Sequence, residues 1–313
     1  MNTVDEIVTT VEGLLAAGDG YDRADRVLAY LARLNALGEN DEKRPRIKMR
    51  PGMVFFATVG KLLGSTVVID VRIHGRRVGE VSLRADGLRV FSPVSPWKDE
   101  WCEKWSDEQI DWGDKRVLHF LRQREGSLPE TEAEAKVQSE LFMAMREGKG
   151  SKKLQELHNN QPVQMLGLPF QFPLPISASG PTPKVSKGLA LGHADILARS
   201  DSGHHIKIFE IKKPGGAAAH ALAQGVAYAA ALGVLLQRNP AVMFKALGYS
   251  KLRTRLPRFS VWAFVNRMDV SAVLKSGRAL QESNHHYGLH VMPYSMNSAG
   301  RLEIDSPVSV EKP

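Results

Sequence analysis

Asp195, Glu210 and Lys212 lie within one stretch of the sequence, residues 192–214. Two apolar runs flank the Ser-Gly pair at 202–203, a pattern that predicts a β-hairpin with this pair as its loop. In that register Asp195 lies directly opposite Glu210, and facing Cβ atoms are about 4.5–5.5 Å apart. Because side chains alternate along a strand, Lys212 lies on the same face as Glu210. The sequence therefore predicts two carboxylates and an ammonium at one end of a sheet.

This group of charges suits a divalent metal ion and a phosphate substrate. Two carboxylates so close repel each other unless a positive charge lies between them. Mg²⁺ supplies such a charge, since it takes oxygen ligands and commonly binds through one or two carboxylates and the phosphate oxygens of a substrate. Lys212 would stabilise a metal-activated hydroxide or the charge that develops on phosphorus. The combination predicts hydrolysis of a phosphodiester.

A surface hairpin with a weak, exposed Glu–Lys pair is the alternative interpretation of the same residues. The run from Ile206 to Ile211 is almost continuously apolar, which is typical of a strand buried on both faces. Charged residues at the end of a buried strand need a functional reason, so the pattern favours a site over a solvated hairpin.

A stripe of polar side chains follows on the next predicted helix. His220, Gln224 and Tyr228 are spaced by four and share one face of a segment rich in Ala and Gly. Small residues let this helix pack closely against the sheet, and the stripe would line the rim of the site. A local hydrogen-bonding role is the alternative for these side chains.

The elements that must position these residues follow from hydrophobic spacing after a break near residues 125–130. Their order is α-β-β-β-α-β with an αβ extension, which predicts an α/β (α+β) fold with a mixed sheet flanked by helices. The predicted elements are helix 130–147, strands 165–175, 193–199 and 205–212, helix 217–237, strand 259–266, helix 269–282 and strand 288–293.

The N-terminal part of the chain has a different pattern. Its spacing predicts two amphipathic helices broken at Gly18 and Gly20, followed by an antiparallel β-meander between residues 53 and 91. The net charge of +8 also divides unevenly, with 20 basic and 20 acidic residues up to Leu128 and 22 against 14 beyond it. We therefore predict two domains, residues 1–128 and 129–313. The basic second part is suited to a polyanion such as nucleic acid.

Three short motifs on the predicted elements resemble those of a known family. The order G-x-x-D, E-x-K and Q-x-x-x-Y resembles the PD-(D/E)XK nuclease superfamily and, within it, the RecB-like branch. The resemblance covers about residues 130–266 and implies a restriction-endonuclease-like αβββαβ core that cleaves nucleic acid. The matching residues here are Gly192 with Asp195, Glu210 with Lys212, and Gln224 with Tyr228.

The resemblance also implies roles for the residues of the site. Asp195 and Glu210 would hold one or two Mg²⁺ ions, for which Mn²⁺ can substitute, with the carbonyl of Ile211 as a further ligand. Lys212 would orient the attacking water or help to deprotonate it. Gln224 and Tyr228 would position the site or the nucleic-acid backbone.

The family carries an additional acidic residue, or in some RecB-like members a histidine, on the helix before the sheet. We assign this role to Glu140, as a metal ligand directly or through water, because it borders the apolar stripe of its predicted helix. Glu134 and Glu147 are placed less well, and a solvated glutamate is the alternative for all three.

DNA is the expected partner, with RNA as an alternative. Basic residues of the second part would neutralise phosphates, and binding would then weaken steeply as the salt concentration rises. An ordinary solvated surface is the alternative for each of them. They are Lys149, Lys152, Lys153, Lys213, Lys251, Arg253, Arg255 and Arg258.

Two other classes of function fit the same sequence. One is a nucleic-acid-binding protein that has the nuclease fold and does not cut. The other is a subunit of a larger complex or homo-oligomer, in which the N-terminal region binds a partner protein or a second copy of the chain.

Composition narrows the cellular setting. With 43% hydrophobic and 24% charged residues, the chain has the composition of a soluble globular protein. No apolar run reaches the roughly 18 residues of a membrane span, and the acidic N-terminus lacks the basic region of a signal peptide. The single cysteine, Cys102, agrees with a reducing compartment. We therefore expect a cytoplasmic protein with no membrane partner.

Overall fold

The computed structural model describes residues 3–38, 52–59, 66–84, 88–105, 110–127, 133–147, 160–165, 168–178, 183, 192–200, 204–252, 255–281, 284, 287–298 and 301–310. These residues form a mixed α/β structure of helices and two sheets. The predicted α/β (α+β) class is confirmed at this level.

Two amphipathic helices come first in the described chain, α1 (Val4–Ala16) and α2 (Gly20–Gly38). α1 begins at a capping box, in which Thr3 and Glu6 exchange side-chain-to-backbone hydrogen bonds. Its buried residues recur every three or four positions and form one apolar stripe. The helices separate at Gly18, which has a positive φ, and the predicted break is confirmed.

The predicted antiparallel meander is also present. Its strands are β1 (Met53–Ala57), β2 (Val67–Ile73), β3 (Arg76–Leu83), β4 (Arg89–Pro93) and β5 (Ile110–Asp111). Helix α3 (Trp97–Trp105) precedes β5, and α4 (Lys115–Ser127) follows it. Each strand pairs with the next in an antiparallel register.

Three later strands extend this first sheet. After α5 (Ala133–Glu147) and β6 (Asn160–Pro162) come β7 (Gln164–Met165), β8 (Leu168–Leu174) and β9 (Gly192–Ala194). The sheet runs β5-β4-β3-β2-β1-β8-β7, with β9 on β8. β8 pairs with β1 in parallel and with β9 in an antiparallel register.

The second sheet contains the hairpin that carries the candidate site. Its remaining strands are β10 (Ile196–Ser200), β11 (His205–Ile211), β12 (Arg258–Asn266), β13 (Gly288–Met296), β14 (Leu302–Ile304) and β15 (Val308–Ser309). The order is β14-β13-β12-β11-β10-β6, with β15 on β13. β10 and β11 are antiparallel, whereas β11, β12 and β13 are parallel. The predicted mixed sheet is therefore confirmed.

Helices pack on both faces of this second sheet. The helices after β11 are α6 (Ala221–Arg238), α7 (Pro240–Ala246) and α8 (Val270–Gln281), with a 3-10 turn at Gly216–His220 before α6. Along β11, Ile206 and Ile208 join the hydrophobic cluster that includes α6. Phe209 and Ile211 point the other way and join the cluster that includes α5.

The structure differs from the prediction at the strand expected over residues 193–199. The chain bends at Asp195, so that β9 pairs with β8 in the first sheet and β10 pairs with β11 in the second. β8 corresponds to the predicted strand 165–175, and it lies in the first sheet beside β1. Apolar patterning reveals a strand but not its partner, which tertiary packing decides. Asp195 consequently marks the junction of the two sheets.

The N-terminal and C-terminal parts share structure across the predicted boundary. Phe55 of β1 pairs with Phe170 of β8, and one hydrophobic cluster contains residues of α1, the meander, β11 and α6. Asp25 of α2 forms a 2.7 Å ion pair with Arg238 at the end of α6. The boundary itself falls at residues 128–132, which lie outside the described ranges.

One helical segment of the described chain, residues 217–238, is long and apolar enough to cross a membrane. In the fold, 67% of its most apolar window is buried inside the protein. This burial is typical of the core helix of a soluble protein, and the segment contains α6, which packs against β11 and β12.

Candidate active site

The hairpin with the two acids forms in the predicted register. β10 and β11 pair with Ile196 opposite Phe209. One step further along the same register, Asp195 comes opposite Glu210, at the end of the hairpin away from its loop. The predicted loop, residues 202–203, lies outside the described part of the chain. The strand pairing thus brings the two acids together as expected.

Asp195 is held by hydrogen bonds from three directions. Its Oδ2 accepts a 2.8 Å bond from the backbone N–H of Ile211, and its Oδ1 accepts a 3.2 Å bond from Nε2 of Gln171. The carbonyl of Asp195 accepts a 2.5 Å bond from Nε2 of Gln138. Burial raises the pKa of Asp195 to about 6, although Lys212 and the Ile211 N–H oppose the shift. These hydrogen bonds therefore orient the side chain of Asp195. Lys212 and the Ile211 N–H offset only part of the cost of burying its negative charge.

Glu210 is a fully buried carboxylate with one oxygen left without a partner. Its relative exposure is 0%, and Oε2 lies 3.5 Å from Nζ of Lys212. Oε1 is buried and has no hydrogen-bond partner among the described residues. Burial and the nearby charge of Asp195 raise the pKa of Glu210 well above its ordinary value. A buried, unpaired carboxylate oxygen is costly unless another group satisfies it.

Lys212 supplies the positive charge of the site. Burial lowers the pKa of its ammonium, but the charges of Glu210, Asp195 and Glu134 raise it, and the net pKa lies above the ordinary value. The backbone carbonyl of Lys212 accepts a 2.9 Å hydrogen bond from the hydroxyl of Tyr294. The backbone of Lys212 is therefore held in place, and its ammonium is charged at neutral pH. Lys212 therefore acts on Glu210 and Asp195 through its positive charge.

Two glycines allow the close packing that builds the site. A Cβ on Gly192 would lie 1.9 Å from the carbonyl oxygen of Ile176. A Cβ on Gly225, in α6, would lie 2.2 Å from Cγ1 of Val261 and 3.5 Å from Cγ of Glu210. α6 can thus lie directly against the strand that carries Glu210.

The predicted polar stripe on α6 reaches the site. Nε2 of Gln224 donates a 3.1 Å hydrogen bond to the hydroxyl of Tyr228. Tyr228 is buried, and its pKa is raised by burial and by the charge of Glu210. His220 lies at the end of the 3-10 turn, immediately before the helix. The structure thus brings Gln224 and Tyr228 together beside Glu210.

Glu140 is not at the cluster of acids. Its Oε2 accepts a 3.0 Å hydrogen bond from the backbone N–H of Leu302 in β14. Glu134 is the acid of α5 that reaches the site, because its Oε1 accepts a 2.9 Å bond from the N–H of Lys213 and its charge acts on Asp195. The two glutamates are six positions apart, a rotation of about 240° around a helix. They therefore face different neighbours.

The predicted phosphate contacts are divided between the two ends of the second sheet. Lys213 is exposed beside the site. Arg258 pairs with His205, six positions before Ile211 on β11, which corresponds to about 20 Å along a strand. Exposed Lys251 and Arg255 precede Arg258 in sequence. The other predicted contacts lie outside the described residues: Lys149, Lys152, Lys153 and Arg253.

Two residues of the site, Gln138 and Gln171, were not predicted from the sequence, and Glu134 was ranked behind Glu140. Glu134 and Gln138 are one helical turn apart on α5, and this spacing is a signal that could have placed both on one face. Gln171 comes from β8, where it pairs opposite Phe56 of β1. Its Nε2 donates a 2.9 Å bond to Oε1 of Gln138 as well as the bond to Asp195. No motif in the sequence connects Gln171 to the hairpin.

The donors at the site fit a hard cation with few protein ligands. Among the residues that the structure describes, no three His, Cys, Asp or Glu side chains are grouped so that they could hold a metal. The buried pair of Asp195 and Glu210 remains, with the unpartnered Oε1 of Glu210 available as a ligand. Mg²⁺ commonly takes one or two protein carboxylates and completes its shell with water and phosphate. The pair therefore offers the number of protein carboxylates that such an ion commonly uses.

A scan against protein-family models and searches of curated proteins and of solved structures each gave no match. A functional assignment therefore depends on the geometry and the charges of the site itself.

Proposed function

We propose that the chain is a metal-dependent nuclease that hydrolyses phosphodiester bonds, with DNA as the expected substrate. The observation that carries the proposal is the buried, unpartnered Oε1 of Glu210 beside Asp195 and Lys212. The order of elements from α5 to β12 supports assignment to a PD-(D/E)XK core of the RecB-like branch. Two features depart from that core: β8 lies in the first sheet beside β1, and the chain bends at Asp195 between the two sheets. We place the protein in the cytoplasm.

Asp195 and Glu210 would hold Mg²⁺ or Mn²⁺, and the carbonyl of Ile211 is a further candidate ligand. When bound, such an ion lowers the pKa of a coordinated water and neutralises charge on a phosphate. Glu134 would take the role that the family resemblance assigned to Glu140, since it is the helix acid whose charge acts on Asp195. Both paired acids have raised pKa values, so binding of a cation would release protons.

The chain's own residues would orient the reaction. Lys212, which is charged, would stabilise the negative charge that develops on the phosphoryl oxygens. Gln171 and the N–H of Ile211 would hold the side chain of Asp195 in one rotamer, and Gln138 would hold its backbone carbonyl. Tyr228, bonded to Gln224, would pack beside Glu210 and limit the access of water from the α6 side.

Cleavage of three DNA forms tests the proposal. Supercoiled, linear and single-stranded DNA are each incubated with Mg²⁺, Mn²⁺ or EDTA. We expect cleavage with either metal and none with EDTA, and loss of activity in Asp195→Ala and Lys212→Ala. Lys275→Gln, an exposed lysine of α8, is the matched control. Equal trace activity in the wild type and both site variants would remove the enzyme hypothesis.

A nucleic-acid-binding protein that does not cut is the second candidate. The grouping of only two metal-donor side chains in the described residues favours it. This candidate predicts DNA binding that is the same in EDTA and in Mg²⁺ and is unaffected by Asp195→Ala.

A further inference from the structure

A second cluster of polar and aromatic side chains lies on the face of β11, β12 and β13 opposite Glu210. The indole of Trp262 stacks on the imidazole of His290, with ring centroids 4.3 Å apart and an angle of 25° between the planes. The ammonium of Lys207 lies 4.8 Å from the centroid of the same indole. All three side chains are partly exposed. We call these residues the Trp262 cluster.

The surroundings of the Trp262 cluster are strongly basic. His205 and Arg258 pair across β11 and β12 at its edge, and the preceding loop contributes exposed Lys251 and Arg255. The described residues 204–207, 249–252, 255–260 and 287–290 contain no Asp or Glu. Burial and the charges of Lys207 and Arg258 lower the pKa of His205. No carboxylate of the described chain acts on His205 or Lys207.

Lys207 is the cation of the cluster, and its ammonium contacts the indole without a carboxylate partner among the described residues. Burial lowers the pKa of its ammonium, and no described carboxylate acts on it. A cation over an exposed aromatic face gains only about 0.5–1 kcal/mol. An ion pair with a phosphate can therefore replace the contact with the indole. His290, by comparison, also contacts the hydroxyl of Ser309 at 3.2 Å.

We propose that the Trp262 cluster binds single-stranded nucleic acid. A phosphate draws the ammonium of Lys207 away from the indole, and an unpaired base stacks on the part of the indole that the ammonium leaves, beside the ring of Phe209, whose centroid is 5.7 Å from that of Trp262. Arg258 and His205 bind the neighbouring phosphates. A single strand is favoured over a duplex because only an unpaired base can present its face to the indole.

The inference rests on the proposed function only in treating the bound strand as the substrate. The Trp262 cluster lies on the opposite face of the sheet from Glu210, because Trp262 pairs with Phe209 and Lys207 lies three positions before Glu210 on β11. It would hold a strand outside the cleavage site. Binding is therefore measured without divalent ions, where cleavage does not contribute.

The first experiment measures binding of a labelled single-stranded 20-mer and of the matching duplex by fluorescence anisotropy in EDTA. We expect the wild type to bind the single strand more tightly than the duplex. Trp262→Leu should weaken single-strand binding about tenfold, as expected for loss of one stacked base, and leave duplex binding nearly unchanged. Lys207→Gln should lower the slope of log affinity against log salt by about 0.7. Lys275→Gln is the charge control.

The second experiment uses intrinsic fluorescence to locate the base. Five tryptophans are present, and four of them lie in the first 112 residues. In the conservative variant Trp262→Phe, the oligonucleotide should no longer quench the tryptophan fluorescence. Binding to this variant is still measured from the anisotropy of the labelled oligonucleotide. Circular dichroism melting confirms that each variant is folded.

The outcomes separate this inference from the proposed nuclease. Unchanged binding and quenching in folded Trp262→Leu and Trp262→Phe would overturn the inference even if DNA is cleaved. Specific single-strand binding without any cleavage would support it while the nuclease proposal fails. Equal competition by polyglutamate would reassign the surface to acidic proteins.

Discussion

The backbone N–H of Ile211 donates a 2.8 Å hydrogen bond to Oδ2 of Asp195 and so joins the acid at the bend to the strand that carries Glu210. This bond fixes the distance between the two acids independently of any cation. It also explains why Asp195 is ordered although its carboxylate lies beside another one. The two carboxylates therefore lie close enough to repel each other in the folded protein before any cation binds.

Replacing Asp195 by Asn should change the pH dependence of stability. The pKa of Asp195 is raised from 3.8 to about 6, so between these values the folded state binds more protons than the unfolded state. The charge of Asp195 therefore destabilises the metal-free protein as pH rises through this window, by about 3 kcal/mol at most. Asp195→Asn should gain stability relative to wild type between pH 4 and pH 7, as measured by urea unfolding in EDTA. A constant difference across this range would contradict the raised pKa.

Divalent cations should stabilise the folded protein at neutral pH. Binding to the folded state alone contributes about 2.7 kcal/mol at a ligand concentration one hundred times Kd. We expect Mg²⁺ or Mn²⁺ to raise Tm in the wild type and to have little effect on Glu210→Gln, which keeps the size of the side chain. The increase should shrink below pH 6, where protons compete for the two acids. Differential scanning calorimetry measures both effects, and an equal rise in Glu210→Gln would place the ion elsewhere.

Gln171 should act as a positioning residue for Asp195. Loss of a residue that orients a metal ligand typically costs about 10–100-fold in metal affinity or activity. We therefore expect Gln171→Ala to weaken Mn²⁺ binding and cleavage and to leave DNA affinity in EDTA unchanged. Gln237→Ala, at an exposed position of α6, is the control. Recovery of cleavage at high Mn²⁺ would distinguish positioning from general damage to the fold.

Glu134 and Glu140 form a matched pair of helix acids with opposite expected effects. Glu134→Gln removes a charge that acts on Asp195 and Lys212, so cleavage and metal affinity should fall. Glu140→Gln weakens a charge-assisted bond to the N–H of Leu302, so stability should fall by about 1 kcal/mol while the metal affinity is retained. Parallel unfolding and Mn²⁺ titrations of the two variants decide between them. A larger loss of metal affinity in Glu140→Gln would restore the assignment made from the sequence.

Two glycines of α6 test the close packing against the sheet. Gly225→Ala places a Cβ 2.2 Å from Cγ1 of Val261, and overpacking of this kind costs about 1–3 kcal/mol. Gly233→Ala has nothing within 4 Å of its Cβ, so it should stabilise the helix by about 0.5–1 kcal/mol. Chemical denaturation of both variants measures the difference. Similar effects of the two substitutions on stability would indicate that α6 does not pack closely against β12.

The local pattern of apolar and polar residues predicts most of the helices and strands of this chain. It predicts only some of the pairings between strands. The apolar run around Glu210 and the short hairpin connection predict the pairing of Asp195 with Glu210, because both depend on residues close in sequence. The contribution of Gln171 depends on the parallel pairing of β1 with β8. The residues of that pair are more than a hundred positions apart, and no spacing in the sequence encodes their contact.

The same limit explains the helix acid. Glu140 and Glu134 both lie on the predicted helix, and the choice between them depends on the angle at which α5 crosses the end of the sheet. That angle is set by packing of Val137 and Leu141 against Phe209 and Ile211. A family motif gives the type of residue on a helix, but the packed interface selects the position.

The parallel pairing of β1 with β8 makes the two halves of the chain interdependent. A fragment that begins after residue 128 would lose β1 and leave β8 with an unprotected edge, which is a template for aggregation. It would also lose α1 and uncover the part of α6 against which that helix packs. Gln171 would then have no fixed strand from which to reach Asp195. Excision of the C-terminal half should therefore yield an insoluble or inactive product, and the N-terminal half is part of what holds the acids in place.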